Sequence, residues 1–394
     1  MKRIVVVGAS LAGMSIVRTL RGDGFTGELI VVGEERHRPY DRPPLSKEIL
    51  SGAKQDTDLD LPVADDLAIT WRLGEKATSL DIGAQQVVVG DEPLSYDGLA
   101  IATGVRPRPL PGFTVDQETC HQLRTIDDAI ALRAALRPGV RLLIVGAGFI
   151  GVEVASSATG LGCEVTMVSL DPPLAIAGED VSGVCDNLLD ELGVRRLIGR
   201  TIVENRPGAA RLDDGSTVDY DVALVAIGSL PNVEWLSGSG LDLSDGVLCD
   251  ETCAVLVDGQ PIDTVVAAGD VARWPHGMFS DRLLRIEHWS NAVEQGVAAA
   301  RRLLHGPQAA AAYVAVPSFW SDHCGRRLQA VGLPWAGDRR ELIEGLHAEM
   351  RFASASYLGD RLVGGLTYGV PKAMVQLRRQ LLAQPAPQAE GAGR

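Results

Sequence analysis

The sequence carries one pattern twice, and the repeat restricts the fold more than any other feature. A β-branched run, Ile4-Val5-Val6-Val7, leads into Gly8-Ala9-Ser10-Leu11-Ala12-Gly13 and then into an apolar-periodic stretch reaching Leu20. Leu142-Leu143-Ile144-Val145 leads in the same way into Gly146-Ala147-Gly148-Phe149-Ile150-Gly151, 138 residues further on. Strand, tight turn and helix form the context in which such glycines bind a dinucleotide. The first serves the turn, the second lets backbone approach a pyrophosphate, and the third lets helix pack on strand. One copy alone also occurs as a plain loop; two in the same context imply two dinucleotide folds. The first copy has Ser10 in place of the middle glycine, with a hydroxyl able to donate to phosphate, whereas the second has all three.

The segments after the two helices point to the nucleotides. Residues 28–32 read as a strand ending at Gly33-Glu34-Glu35, so an acid stands where an adenosine ribose presents its hydroxyls. Residues 164–168 read as its counterpart, but the end is Ser169-Leu170-Asp171, which moves the acid by two positions. NADH is the expectation, with Asp171 as substitute and NADPH possible. FAD in one fold and a nicotinamide nucleotide in the other make a flavin-dependent oxidoreductase, because flavin N5 accepts the hydride that the nicotinamide donates.

Composition excludes other classes. The formal charge of -14 argues against nucleic acid or an anionic membrane as partner, and no run approaches the ~18 to 20 apolar residues of a membrane helix. Six cysteines without a CxxC suit reduced thiols in a cytosol, and Cys249 and Cys253 have no second pair of ligands nearby. A soluble, cytoplasmic protein without a bound metal is expected.

The segments between and beyond the fingerprints carry a resemblance. Tyr40-Asp41-Arg42-Pro43-Pro44-Leu45-Ser46-Lys47, Ala102-Thr103-Gly104-Val105-Arg106-Pro107-Arg108, Leu123-Arg124-Thr125, Ala226-Ile227-Gly228, Ala268-Gly269-Asp270-Val271-Ala272, Glu287-His288-Trp289-Ser290-Asn291-Ala292 and Phe319-Trp320-Ser321-Asp322 occur in that order. Over nearly its whole length the chain resembles the FAD-dependent NAD(P)H:ferredoxin reductases of bacterial cytochrome P450 and Rieske oxygenase systems. The resemblance implies that Gly8, Ser10, Leu11, Ala12 and Gly13 hold the FAD pyrophosphate and that Glu34 binds the adenosine ribose. It implies Arg42 and Lys47 beside the flavin, Ala77 and Arg124 on the adenine and pyrophosphate side, Asp270 on the ribityl hydroxyls and Trp289 at the pyrimidine end. Ala102, Thr103, Gly104, Gly228 and Gly269 join the cofactor contacts. In the second fold Gly146, Gly148, Phe149, Ile150 and Gly151 would hold the NAD(P)H pyrophosphate, Ser169 would replace the usual ribose acid, and Glu153 would approach the nicotinamide. Lys47, Glu153 and Trp320 are the candidate catalytic residues.

The implied architecture is α/β: two Rossmann-like dinucleotide-binding domains, the NAD fold inserted in the FAD fold, plus a C-terminal α+β domain. The expected limits are 1–106 with 232–310 for FAD, 107–231 for NAD(P)H and 311–381 for the third, with strands at 350–357 and 361–367. Residues 382–394 are expected to be a disordered tail.

The destination of the electrons is read from what is missing. Related disulphide reductases carry a redox cysteine where this chain has Pro43-Pro44-Leu45-Ser46-Lys47, and no cysteine precedes Cys120. Without a thiol relay the flavin passes electrons directly to an acceptor, and a [2Fe-2S] ferredoxin fits a donor able to release them singly. Trp320 is placed between flavin and surface, with a core or interface tryptophan as the equal alternative. An NADH oxidase, a rubredoxin reductase and a flavin redox sensor similar to apoptosis-inducing factor are the other readings. From residue 281 onward 14 basic residues meet 10 acidic ones, although the whole chain is acidic. The pairs Arg301-Arg302, Arg326-Arg327, Arg339-Arg340 and Arg378-Arg379 could present a cationic dock to an acidic ferredoxin, with scattered solvated arginines as the commoner reading of any one pair.

Overall fold

The computed structural model describes residues 1–323 and 325–385. The first fingerprint strand, Arg3–Val7, lies in the middle of a six-stranded sheet. The order is Ala254–Val257, Gln260–Ala267, Gly98–Ile101, Arg3–Val7, Glu28–Gly33 and Thr70–Leu73. All neighbours are parallel except the edge pair of Ala254–Val257 with Gln260–Ala267. Ile4 to Val7 are buried on both faces, as an unbroken β-branched run in a parallel sheet requires. Each such side chain contributes roughly 1.5–3 kcal/mol on leaving water. The helix Leu11–Gly22 packs against Trp289–His305, where Gly296 allows close approach: a Cβ there would lie 2.7 Å from the Ser15 Cβ.

The second fingerprint strand, Arg141–Val145, is central in a five-stranded parallel sheet. Its order is Arg195–Ile198, Glu164–Ser169, Arg141–Val145, Val222–Val225 and Cys120–His121. The chain enters this unit along Val105–Pro107 and leaves it along Ser229–Pro231, and these two strands pair antiparallel.

Residues 318–383 form a five-stranded antiparallel sheet in the order Ser318–His323, Arg326–Gly332, Arg361–Tyr368, Arg351–Leu358 and Arg339–Leu346. The helix Pro371–Ala383 covers it, burying Ala373, Leu377 and Leu381. Two of the strands match those expected at 350–357 and 361–367. The other three escape sequence reading, and the edge strand Arg339–Leu346 shows why: it is exposed at most positions and half of it is charged, without an alternating apolar pattern.

The expected tail limit needs correction. Helix Pro371–Ala383 runs through 382 and 383, and the Gln384 side-chain amide bonds both the Leu362 N–H, at 3.1 Å, and the Leu362 carbonyl, at 2.9 Å. Residues 386–394 lie outside the described residues.

Candidate dinucleotide and electron-transfer site

Both fingerprints form cradles that side chains would fill. Gly8 has φ +121°, and a Cβ on it would lie 2.0 Å from the Ala102 carbonyl oxygen; one on Gly13 would lie 1.9 Å from the Gly8 oxygen. Gly146 has φ +108° and is closed in the same way by the Ala226 oxygen at 2.3 Å, while Gly151 abuts the Gly146 oxygen at 2.3 Å. Gly148 instead faces open space. The helices Leu11–Gly22 and Phe149–Gly160 begin at Ser10 and Gly148, and neither start has a side-chain cap. Their first N–H groups and the positive ends of their dipoles are available to an anion, so both sites fit a dinucleotide pyrophosphate.

Around the first cradle, Arg42 is the hub. Its guanidinium donates to Glu35 at 2.5 Å, to the Tyr40 hydroxyl at 2.9 Å and to the Arg124 carbonyl at 2.8 Å, with a longer bond of 3.3 Å to the Ser10 hydroxyl. Arg124 in turn meets Asp270 at 3.1 Å and lies beside Gly104. Burial pushes the Asp270 carboxyl above its ordinary range, against the opposing pull of Arg124. Gly269, at φ +79°, donates its N–H to the Gln295 side chain at 2.9 Å, which fixes the turn that presents Asp270. The Thr103 carbonyl and hydroxyl are both bonded to Asn232, at 2.8 Å each, so Ala102-Thr103-Gly104 is held to the returning chain. Glu34 is exposed just past its strand and pairs with Lys76 at 3.0 Å, with Ala77 buried next to it. The Trp289 indole donates to Asp41 at 2.8 Å.

At the second cradle, Phe149 and Ile150 open the helix and Gly228, at φ +97°, has free space above it. Ser169 ends its strand, and its carbonyl accepts the Arg200 N–H at 3.2 Å. Arg200, in the connection just past the strand Arg195–Ile198, reaches this edge, a proximity hidden in the sequence, and its side chain pairs with Asp214 at 3.1 Å.

Between the cradles lies a buried polar cluster. Glu153, 4% exposed, projects from the Phe149–Gly160 helix and meets Lys47 at 2.8 Å; Lys47 is 17% exposed and also donates to the Pro43 carbonyl at 3.2 Å. The remaining carboxylate valences take the hydroxyls of Ser46, at 2.5 Å, and of Ser321. A solvated Glu153, the ordinary reading of a helix-face glutamate, is therefore excluded. His323 adjoins the cluster, bonded through Nδ1 to the Tyr368 hydroxyl at 3.3 Å; burial pushes its pKa down to about 4, so the imidazole is neutral at pH 7. Sequence reasoning found Lys47 and Glu153 but not Ser46, Ser321 or His323, which arrive from segments far apart in the chain.

Trp320 lies on strand Ser318–His323, half-buried, with its ring 6.4 Å from the exposed Trp289. A Ser290 hydroxyl bond to the Ser318 carbonyl, at 3.0 Å, ties the two supporting elements together. A groove of about 180 Å³ runs from Trp320 to Met374, Val375 and Arg378 of the last helix.

The structure removes Arg302 and Arg340 from the expected dock of four arginine pairs. Arg302 is 1% exposed and bound to Asp263 and Thr252 inside the first unit. Arg340 joins Asp180 and the Ala177 carbonyl at the junction with the second unit. Arg301, Arg327 and Arg339 are neutralised by Asp23, Asp322 and Glu341. Arg378 makes a long contact of 3.9 Å with Glu294.

Among the described residues no helix is long and apolar enough to cross a membrane, and no group of His, Cys, Asp and Glu is arranged to hold a metal. Cys249 and Cys253 are fully buried, and burial raises both thiols.

Residues 2–296 match the profile of a family described as pyridine nucleotide-disulphide oxidoreductase. The chain belongs to that family. Residues 318–392 of this pyridine nucleotide-disulphide oxidoreductase match a second profile, described as reductase C-terminal. The p-cumate 2,3-dioxygenase system ferredoxin--NAD(+) reductase component of Pseudomonas putida is 35% identical, over 96% of this oxidoreductase and 92% of the relative. Rhodocoxin reductase of Rhodococcus erythropolis is 33% identical, with 97% and 90% covered. Among solved structures, the covalent putidaredoxin reductase–putidaredoxin complex superposes with a TM-score of 0.90 at 30% identity, covering 96% of this oxidoreductase and 93% of that chain.

Proposed function

We propose that this oxidoreductase is an FAD-dependent NADH:ferredoxin reductase, serving through a [2Fe-2S] ferredoxin a cytochrome P450 or a Rieske oxygenase in the cytoplasm. The observation that carries the reading is the likeness, over nearly the full length, to relatives named as ferredoxin reductases of such systems, together with a lysine–glutamate pair in place of a redox cysteine. We divide the chain into an FAD unit (1–106 and 232–310), an NADH unit (107–231) and a C-terminal unit from 311.

When bound, FAD accepts a hydride from NADH and releases electrons one at a time. The protein's part is to hold and orient. Gly8 to Gly13 and the first helix start hold the FAD pyrophosphate, with Glu34 on the adenosine ribose and Asp270 on the ribityl chain. Gly146 to Gly151 hold the NADH pyrophosphate. Lys47, fixed by Glu153, keeps a cation where negative charge develops on reduction, and the hydroxyls of Ser46 and Ser321 hold the carboxylate in place. Trp289 and Trp320 lead from the flavin edge to the groove beside the last helix. Lys372, Arg378 and Arg379 on that helix supply the positive rim for an acidic ferredoxin.

The test is anaerobic reduction of the FAD-loaded protein by NADH, followed by transfer to [2Fe-2S] ferredoxins, rubredoxin and oxygen in parallel. Transfer to a ferredoxin well above the other acceptors supports the reading. Slow reoxidation by every carrier, with NADH-dependent dimerisation, would transfer the assignment to a redox sensor.

A further inference from the structure

A second pocket, of about 300 Å³, opens between the NADH unit and the C-terminal unit. One rim is the loop after the ribose strand, with Ala175, Ile176 and Gly178; the other is the turn Pro334 to Gly337, with Trp335 at its tip. Two large apolar side chains face solvent here: Ile176 is 61% exposed and Trp335 is 42% exposed.

Both rims are fixed by one guanidinium. Arg340 donates to the Ala177 carbonyl at 2.6 Å and to the Pro334 carbonyl at 3.4 Å, and it pairs with Asp180. Gly178, at φ +102°, is required under it, since a Cβ would lie 2.2 Å from the arginine Nη1. The loop is also tied to the second cradle, because the Leu174 N–H donates to the Ala147 carbonyl at 2.9 Å. Trp335 connects to that cradle through rings: its centroid is 6.2 Å from Phe319, which is 5.0 Å from Phe149. Phe149 is the first residue of the uncapped helix, so the indole stands two ring contacts from an anion-binding helix start. Asp338 in the same pocket offers an acceptor for ribose hydroxyls.

We propose that Trp335 closes over the nicotinamide dinucleotide from the C-terminal side and is a nucleotide-contacting residue of the NADH site. The inference rests on the assignment of the second fingerprint to NADH. It gives the C-terminal unit a role in nucleotide capture besides electron exit.

The experiment is calorimetric titration of FAD-loaded wild type, Trp335→Phe and Trp335→Ala with NAD+ and with ADP-ribose. Ring stacking on a base predicts that Trp335→Ala weakens both ligands about 5-fold or more, with Trp335→Phe in between. Energy transfer from indole to bound NADH should drop measurably in Trp335→Phe. Equal affinities and equal energy transfer in the three proteins, at equal FAD content, overturn the inference. Failure of the wild type to bind NAD+ or ADP-ribose would instead overturn the NADH assignment beneath it.

Discussion

Replacing Lys47 and Glu153 singly and together tests the central cluster. The carboxylate is buried and the ammonium largely so, with the two 2.8 Å apart. Removing one partner of such a pair costs about 3–5 kcal/mol because the other charge is left without water or counter-ion. Lys47→Ala belongs at the lower end, about 3 kcal/mol, since Ser46 and Ser321 still satisfy the carboxylate. Glu153→Ala belongs nearer 5 kcal/mol: the ammonium retains the Pro43 carbonyl, and both serine hydroxyls lose their acceptor. The double variant removes both charges, so its loss should fall short of the sum of the singles by about 2 kcal/mol. Urea titration followed by release of FAD fluorescence measures all three, and stopped-flow reduction by NADH should slow in Lys47→Ala. Additive losses, within about 0.5 kcal/mol, would refute the direct pairing. Unchanged reduction rates would remove Lys47 from the flavin site.

Other outcomes are equally specific. His323, held near pKa 4 in the fold against 6.5 when free, binds protons in the unfolded chain first, so stability falls as pH drops from 6.5 to 4. His323→Gln should remove about 2 kcal/mol of that loss at pH 5, seen as a flatter pH dependence of the urea midpoint; an unaltered slope would count against a buried neutral imidazole. Gly148→Ala has room for its methyl group and should keep FAD while weakening NAD+ at least ~10-fold in calorimetry, about 1.4 kcal/mol, whereas Gly8→Ala should fail to retain FAD. Glu34→Ala should lower FAD occupancy after dialysis; full occupancy would show that the ribose is held otherwise. Arg378→Gln with Arg379→Gln should raise the KM for ferredoxin at low ionic strength, and the difference should vanish at about 1 M salt, where the Debye length is about 3 Å.

The parts of the molecule legible in the sequence are those set by local rules. Ile4 to Val7 and Leu142 to Val145 announce buried parallel strands, and Gly8, Gly13, Gly146 and Gly151 after them answer to backbone contacts under 2.5 Å that no other residue permits. Lys47 and Glu153 were found as individuals. Their meeting was not, because contact between residues 106 positions apart depends on how two units pack. The arginine pairs show the opposite error: adjacency in sequence suggested one charged face, yet Arg302 and Arg340 point into the structure and bind carboxylates there. Local charge counts carry no information about which side of an element faces water.

The antiparallel joint between Val105–Pro107 and Ser229–Pro231 has an evolutionary reading. Pro107 sits opposite Ser229 and Val105 opposite Pro231, so the ends of the NADH unit emerge side by side. A segment whose ends are neighbours can be inserted into, or exchanged from, a host without disturbing either core, since the host sees only a short hairpin. On the proposed assignment the NADH-binding unit is thus a cassette, and donor preference can change by its replacement while the flavin pocket and the electron exit stay as they are.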